Sequence, residues 1–164
     1  MFGFLRKEKE QKKSSNQLVA FVSGRVFPIE HAADEIFSSK MIGDGLVMEP
    51  EEDILYAPAD GTVSMVMPDS FHAVAVTDGN GMEIMLHVGL DTVSMNGEGF
   101  EMLVGKGDEV KAGQPLMRFS RAKIAEKGLS SQIIMVITNT PQFENMSFFS
   151  GMDAEAGKTV IAEY

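Results

Sequence analysis

From Gln17 onward the chain is cut into short apolar stretches, most of them closed by Gly, Pro, Asp or Glu, and this punctuation constrains the fold more than any other feature. Residues 18–22, 24–28, 45–50 and 54–57 are brief runs of this kind. Residues 60–67 form a longer one, and 100–104, 115–119, 133–139 and 159–162 continue the pattern. Apolar runs of this length between turn residues read as strands, and sixteen glycines supply turns for many of them. Helical periodicity is weak and confined to residues 31–37 and 121–127. The expected class is all-β: an antiparallel β-sandwich or barrel-sandwich hybrid with short helical segments.

Two segments sharpen that expectation. Residues 57–63 (APADGTV) and 105–116 (GKGDEVKAGQPL) resemble the hammerhead strands of lipoyl and biotinyl carrier domains, with Val110 expected to point inward. This is a signal of fold and not of function. A carrier of that kind needs its acceptor lysine at a hairpin tip, and the candidate turn Asp78-Gly79-Asn80-Gly81 has none.

The 164 residues suit one domain with a sizeable core. Residues 1–17 are expected to be a flexible N-terminal tail, because RKEKEQKKSSNQ is polar and has no apolar period; residues 18–164 are the expected folded domain. The five residues in front, MFGFL, offer at most weak membrane contact. There are no cysteines, so disulfides and thiolate metal sites are excluded. No apolar run approaches the length of a membrane span, and a cytoplasmic protein is expected. The net charge is −10, yet the first seventeen residues hold five basic side chains against two acidic ones, so the rest carries −13. A body this acidic argues against nucleic acid as a partner and suits a basic protein.

The chemistry gathers at residues 72–91, HAVAVTDGNGMEIMLHVGLD, which read as two strands joined by a tight hairpin turn and hold two of the three histidines. A two-residue loop at Gly79-Asn80 sets His72 opposite His87 on one face, with Cβ atoms roughly 5 Å apart. A loop at Asn80-Gly81 makes them diagonal neighbours on one face. A three-residue loop sends them to opposite faces. Two facing imidazoles titrate near neutrality and combine a nucleophilic nitrogen with a hydrogen-bond donor, which suits phosphoryl transfer. They could also take zinc, adventitiously or as regulation, although a full site needs further ligands. His31, in an acidic stretch, reads as a surface residue.

The run LHVGLDTV at 86–93, followed by NGEGF at 96–100, resembles the signature of the glucose-type IIA domains of the bacterial phosphoenolpyruvate:sugar phosphotransferase system. MIGDGL at 41–46, APADGTV at 57–63 and GDEV at 107–110 extend the resemblance in the right order from about residue 20 to 139. The resemblance implies a phosphoryl carrier: His87 accepts a phosphoryl group at Nε2 from the histidine-containing phosphocarrier protein and passes it to a cysteine on the IIB domain of a sugar permease. It implies that His72 stabilises the phosphoryl group, that the Gly89 carbonyl orients His87, and that Ser70 hydrogen-bonds His72. Asp34 and Asp91 match acidic partner-binding positions, and Ile36, Phe37, Met67, Met85 and Val93 match an apolar docking surface. No cofactor is implied beyond phosphate carried covalently on His87. The resemblance also favours the two-residue turn at Gly79-Asn80, which keeps the histidines together.

Three departures from the family pattern stand out. Val88 replaces the usual phenylalanine and is expected to thin the apolar rim. Residues 67–71 run one residue long, and Ser131-Gln132 stands where Thr-Pro is common. Two rival readings remain: a regulatory module that binds proteins in its unphosphorylated state, and a zinc endopeptidase with the H-x-G-x-D pattern at residues 87–91. The latter needs an H-x-H pair, which the chain lacks.

Overall fold

The computed structural model describes residues 16–164. The expected tail therefore lies almost wholly outside the described residues, as does the 1–5 segment, and the first strand begins at Gln17. Every strand pairing within the described residues is antiparallel. One three-stranded sheet joins β1 (Gln17–Val19), β14 (Val160–Glu163) and β12 (Ser147–Phe148), in that order. A second joins β4 (Ile54–Tyr56), β10 (Pro115–Phe119) and β8 (Phe100–Met102). The main sheet has eight strands: β13 (Asp153–Ala154), β2 (Gly24–Pro28), β3 (Asp44–Pro50), β11 (Ile133–Ile137), β7 (Glu83–Val88), β6 (Ala73–Asp78), β5 (Gly61–Val66) and β9 (Glu109–Val110), in spatial order. The all-β sandwich expectation holds. Among the described residues helix is limited to α1 (Glu35–Ser38), α2 (Arg121–Glu126) and short 3-10 turns, one of them Ile29–His31.

The two hammerhead-like segments meet. Gly61 and Thr62 of the first pair with Val110 and Glu109 of the second. Val110 is buried as expected, and the amide of Ala112 donates to Asp60 Oδ1 at 2.8 Å.

The main sheet has two unequal faces. One faces the large core, where Val74, Val76, Ile84, Leu86, Val88, Ile133, Met135 and Ile137 are all buried. The other carries a smaller cluster in which Val47, Ile134 and Val136 are covered by Ile29, Ala32 and Phe37 from the segment 29–38, with Leu90 alongside. β11 is buried on both faces, which explains its unbroken sequence IIMVI. β7 shows the contrast most simply: Ile84, Leu86 and Val88 enter the large core, while Met85 and His87 point to the outer face.

The hairpin between β6 and β7 corrects the expected register. Asp78 pairs with Met82 through an amide-to-carbonyl bond of 3.0 Å, so the loop is the three residues Gly79, Asn80 and Gly81. Gly81 adopts φ +81, which places a left-handed residue at the end of the turn, the usual geometry of a three-residue hairpin. Asp78 Oδ1 stabilises it by accepting from the amides of Asn80 and Met82, both at 2.9 Å. In this register His87 pairs with Ala73 and not with His72. Strict alternation would then part the two histidines.

Candidate functional site

They are not parted. The imidazoles of His72 and His87 sit edge to face with centroids 4.7 Å apart. His72 precedes the first residue of β6 and so escapes its alternation. The connection leading into it is irregular: Asp69 and Phe71 have φ of +68 and +52, and the Phe71 amide closes a turn onto the Met67 carbonyl at 3.2 Å. The carbonyl of His72 still accepts from the Val88 amide at 2.8 Å, which ties the loop to the end of β7. The histidines converge because a bent loop delivers one ring to the other.

Each ring is held at Nδ1. His87 Nδ1 lies 2.8 Å from the Gly89 carbonyl, and since a carbonyl only accepts, Nδ1 carries the proton and Nε2 presents its lone pair. Gly89 has φ +78, and a Cβ there would come within 2.3 Å of Thr92 Cγ2, so only glycine places that carbonyl without strain. His72 Nδ1 is 2.7 Å from Ser70 Oγ in a buried pair.

Burial and neighbours tune both rings. His72 is 4% exposed, and its pKa falls through loss of water. The pKa of His87 falls to about 4. Burial is the larger cause and a positive charge on His72 the next, opposed by the Gly89 carbonyl and the Asp34 and Asp91 carboxylates. Both rings are therefore neutral at pH 7.

The apolar positions divide. Phe37 is buried and tilts over His87 with centroids 5.1 Å apart, so it forms a wall of the site and not an exposed rim. Ile36 and Val93 are about half exposed, at 52% and 56%, and Met67 and Met85 are partly buried. Val88 is fully buried in the large core; the residue after His87 points away from the site and leaves the rim unchanged. Asp34 caps α1 by accepting from the Ile36 amide at 2.8 Å, and Asp91 is exposed at the start of the 3-10 turn Thr92–Met95 with φ +60. His31 is half exposed, stacked on Phe27 at 4.0 Å.

Sequence reasoning passed over two neighbours. Phe71, the residue before His72, is an aromatic left 37% exposed. Gln132, noted only as a departure, is buried at 6% and its carbonyl accepts from the Gly89 amide at 2.8 Å. A polar residue directly before an unbroken apolar strand was the available signal. Among the described residues no group of three or more His, Cys, Asp or Glu could hold a metal, so the endopeptidase reading lacks a ligand set beyond the pair. No helix among them is long and apolar enough to cross a membrane.

The sequence pattern of the family described as phosphoenolpyruvate-dependent sugar phosphotransferase system, EIIA 1, matches residues 16–143. The chain belongs to this family. It is 37% identical to the PTS system glucose-specific EIIA component of Oceanobacillus iheyensis over 163 residues, covering 99% of this chain and 98% of that protein. It is 39% identical to the Bacillus anthracis protein of the same description over 150 residues, 92% of this chain and 90% of the other. In structure it is similar to the glucose permease IIA of Mycoplasma capricolum, with a TM-score of 0.79, 30% identity, and 89% of this chain and 94% of that one covered. EIIA membership gives the chain a phosphoryl-carrier role in sugar phosphotransfer.

Proposed function

We propose that the chain takes a phosphoryl group on His87 Nε2 from the histidine-containing phosphocarrier protein and gives it to the cysteine of a IIB domain of a sugar permease, working in the cytoplasm. The observation that carries this reading is the pair of anchored imidazoles, each tied at Nδ1, with no hydrogen bond at either Nε2 among the described residues. The neutral Nε2 of His87 attacks phosphorus; the bond to the donor nitrogen breaks and its electron pair returns to the donor ring. Positive charge develops on the His87 ring, and the Gly89 carbonyl, already accepting from Nδ1–H, stabilises it. If the Ser70 hydroxyl donates to His72 Nδ1, the His72 proton lies on Nε2, where it hydrogen-bonds a phosphoryl oxygen. In onward transfer the cysteine thiolate attacks phosphorus and the P–N bond breaks. The depressed basicity of His87 makes it a good leaving group in that step.

Around the pair, Asp34 and Asp91 supply negative charge for a basic partner, and Ile36, Val93, Met67 and Met85 supply apolar contact. Methionines adapt to two partners in turn. The same face could bind regulatory targets when unphosphorylated, since phosphate adds up to about two negative charges there.

Incubation with phosphoenolpyruvate, the first enzyme of the system and the phosphocarrier tests the proposal. The expected product is an acid-labile, alkali-stable phosphate that His87→Gln abolishes. Wild-type protein that takes no label, or a His87→Gln variant that keeps it, overturns the reading.

A further inference from the structure

The groups that line and flank His87 belong to different parts of the fold. Asp34, Ile36 and Phe37 ride on the segment 29–38, which crosses the outer face of the main sheet, whereas Gly89 and Asp91 leave the end of β7. Their spacing depends on what fastens that segment to the sheet. Ile29, Ala32 and Phe37 hold it by apolar packing, which is non-directional and tolerates sliding. Gln132 adds direction. Its Oε1 accepts from the Ala33 amide at 3.0 Å, one residue before Asp34. Its Nε2 donates to Glu49 Oε1 at 3.2 Å and faces the His31 carbonyl at 3.5 Å. Its own carbonyl accepts from the amide of Gly89, the residue that orients His87. The side chain is buried and fully engaged, so it cannot relax without leaving a buried donor or acceptor empty.

We propose that Gln132 is a positioning residue for phosphoryl uptake: it bonds Ala33 with its side chain and Gly89 with its backbone, and so holds the Asp34 carboxylate at a set distance from His87. The inference rests on the uptake reaction proposed above. The Gln132 side chain has no hydrogen bond to either imidazole, and its backbone carbonyl survives substitution. Its loss therefore acts on recognition of the phosphorylated donor and leaves the transfer step at His87 intact.

Phosphoryl uptake from the phosphorylated phosphocarrier is measured for wild type, Gln132→Met, Gln132→Glu and the double variant Glu49→Gln/Gln132→Glu, with Asp34→Asn added to wild type and to Gln132→Met. Methionine keeps the length of the side chain and removes its hydrogen bonds. Gln132→Met should raise KM for the phosphocarrier about tenfold while the maximal rate stays within about twofold. Asp34→Asn should raise KM in wild type and add little on top of Gln132→Met, because a misplaced carboxylate has less to lose. Gln132→Glu alone sets two carboxylates against each other and should also raise KM. The double variant restores the bond with donor and acceptor exchanged, keeps an acceptor for Ala33, and should return KM to within about twofold of wild type. Should Gln132→Met fail to fold, the comparison of Gln132→Glu with the double variant carries the test. An unchanged KM in Gln132→Met, a fully additive Asp34→Asn effect, or a fall in maximal rate alone overturns the proposal. Hydrogen exchange of the Ala33 amide separates the two readings: wild type that takes no phosphate ends the uptake reaction and this role with it, whereas active wild type with equal Ala33 protection in Gln132→Met ends only the positioning role.

Discussion

The two histidines of the site are held by different kinds of anchor. His87 leans on a backbone carbonyl, fixed in place by a glycine whose geometry no other residue matches without strain. His72 leans on a serine hydroxyl, which can turn and can donate or accept. One ring is thereby locked in a single tautomer, as the nucleophilic role proposed for it requires. The other depends on a rotatable group, as would suit the phosphoryl-stabilising role proposed for it. Exposure alone does not rank them. His72 is almost closed to solvent, yet the shift to about 4 belongs to His87, where burial beside Phe37 combines with the cost of a second charge next to His72.

The largest effect expected from this comparison is on stability against pH. Above pH 6.5 His87 is neutral in the folded and the unfolded chain and contributes no pH dependence. As pH falls through 6.5 the unfolded chain binds a proton that the folded chain refuses until about pH 4. Stability therefore drops across the window from 6.5 to 4, and the loss levels off at roughly 3 kcal/mol below it. His72, also lowered, adds loss of the same sign. Urea denaturation at pH 7 and pH 4.5 should show wild type losing more than His87→Gln. Equal losses in the two proteins would mean that the native ring is not depressed.

Next in size is the split between uptake and delivery. His72→Gln leaves the attacking nitrogen and its Gly89 anchor untouched, so phosphate still reaches His87. Onward transfer to the IIB domain should fall about 100-fold, the usual loss on removing one donor aimed at developing charge. Rapid-quench measurement of both half-reactions checks this. Equal delivery by variant and wild type would leave His72 as packing.

The parts of this site that could be foreseen are those that local chemistry dictates. Short apolar runs and their turn residues mark β2, β3, β10 and β11 without knowledge of their partners. The two-residue strands β12 and β13 have no such signature; they exist because a neighbour supplies their hydrogen bonds. The family resemblance singled out His87, His72, Ser70 and Gly89, and these four lie together. The route by which His72 reaches His87 differs from the expected two-residue turn. Gly81 closes a three-residue loop, and the left-handed residues Asp69 and Phe71 undo the consequence of that register. Phenylalanine does not announce such a backbone and aspartate does so only weakly, since the conformation is imposed by the loop around it. Gln132 was hidden for a related reason: its bonds to Ala33 and Gly89 span 99 and 43 residues of sequence, and only the fold reveals them.

The smallest effect tests the rotatable anchor itself. Ser70→Ala removes the partner of His72 Nδ1 in a buried setting and leaves the ring free to choose its tautomer. A neutral hydrogen bond of this kind is worth about 1 kcal/mol, so onward transfer should slow about fivefold, with KM for the IIB domain unchanged. Ser70→Thr keeps the hydroxyl and should stay within about twofold of wild type. Nitrogen NMR of the imidazoles gives a second readout, which a purely structural role for the serine would not move. In wild type His72 should carry its proton on Nε2 and His87 on Nδ1; in Ser70→Ala the His72 signal should shift toward a mixture while His87, tied to its carbonyl, stays as it was. If both rings are unchanged and transfer keeps its rate, the hydroxyl is no anchor, and the orientation of His72 must come from the bent loop alone.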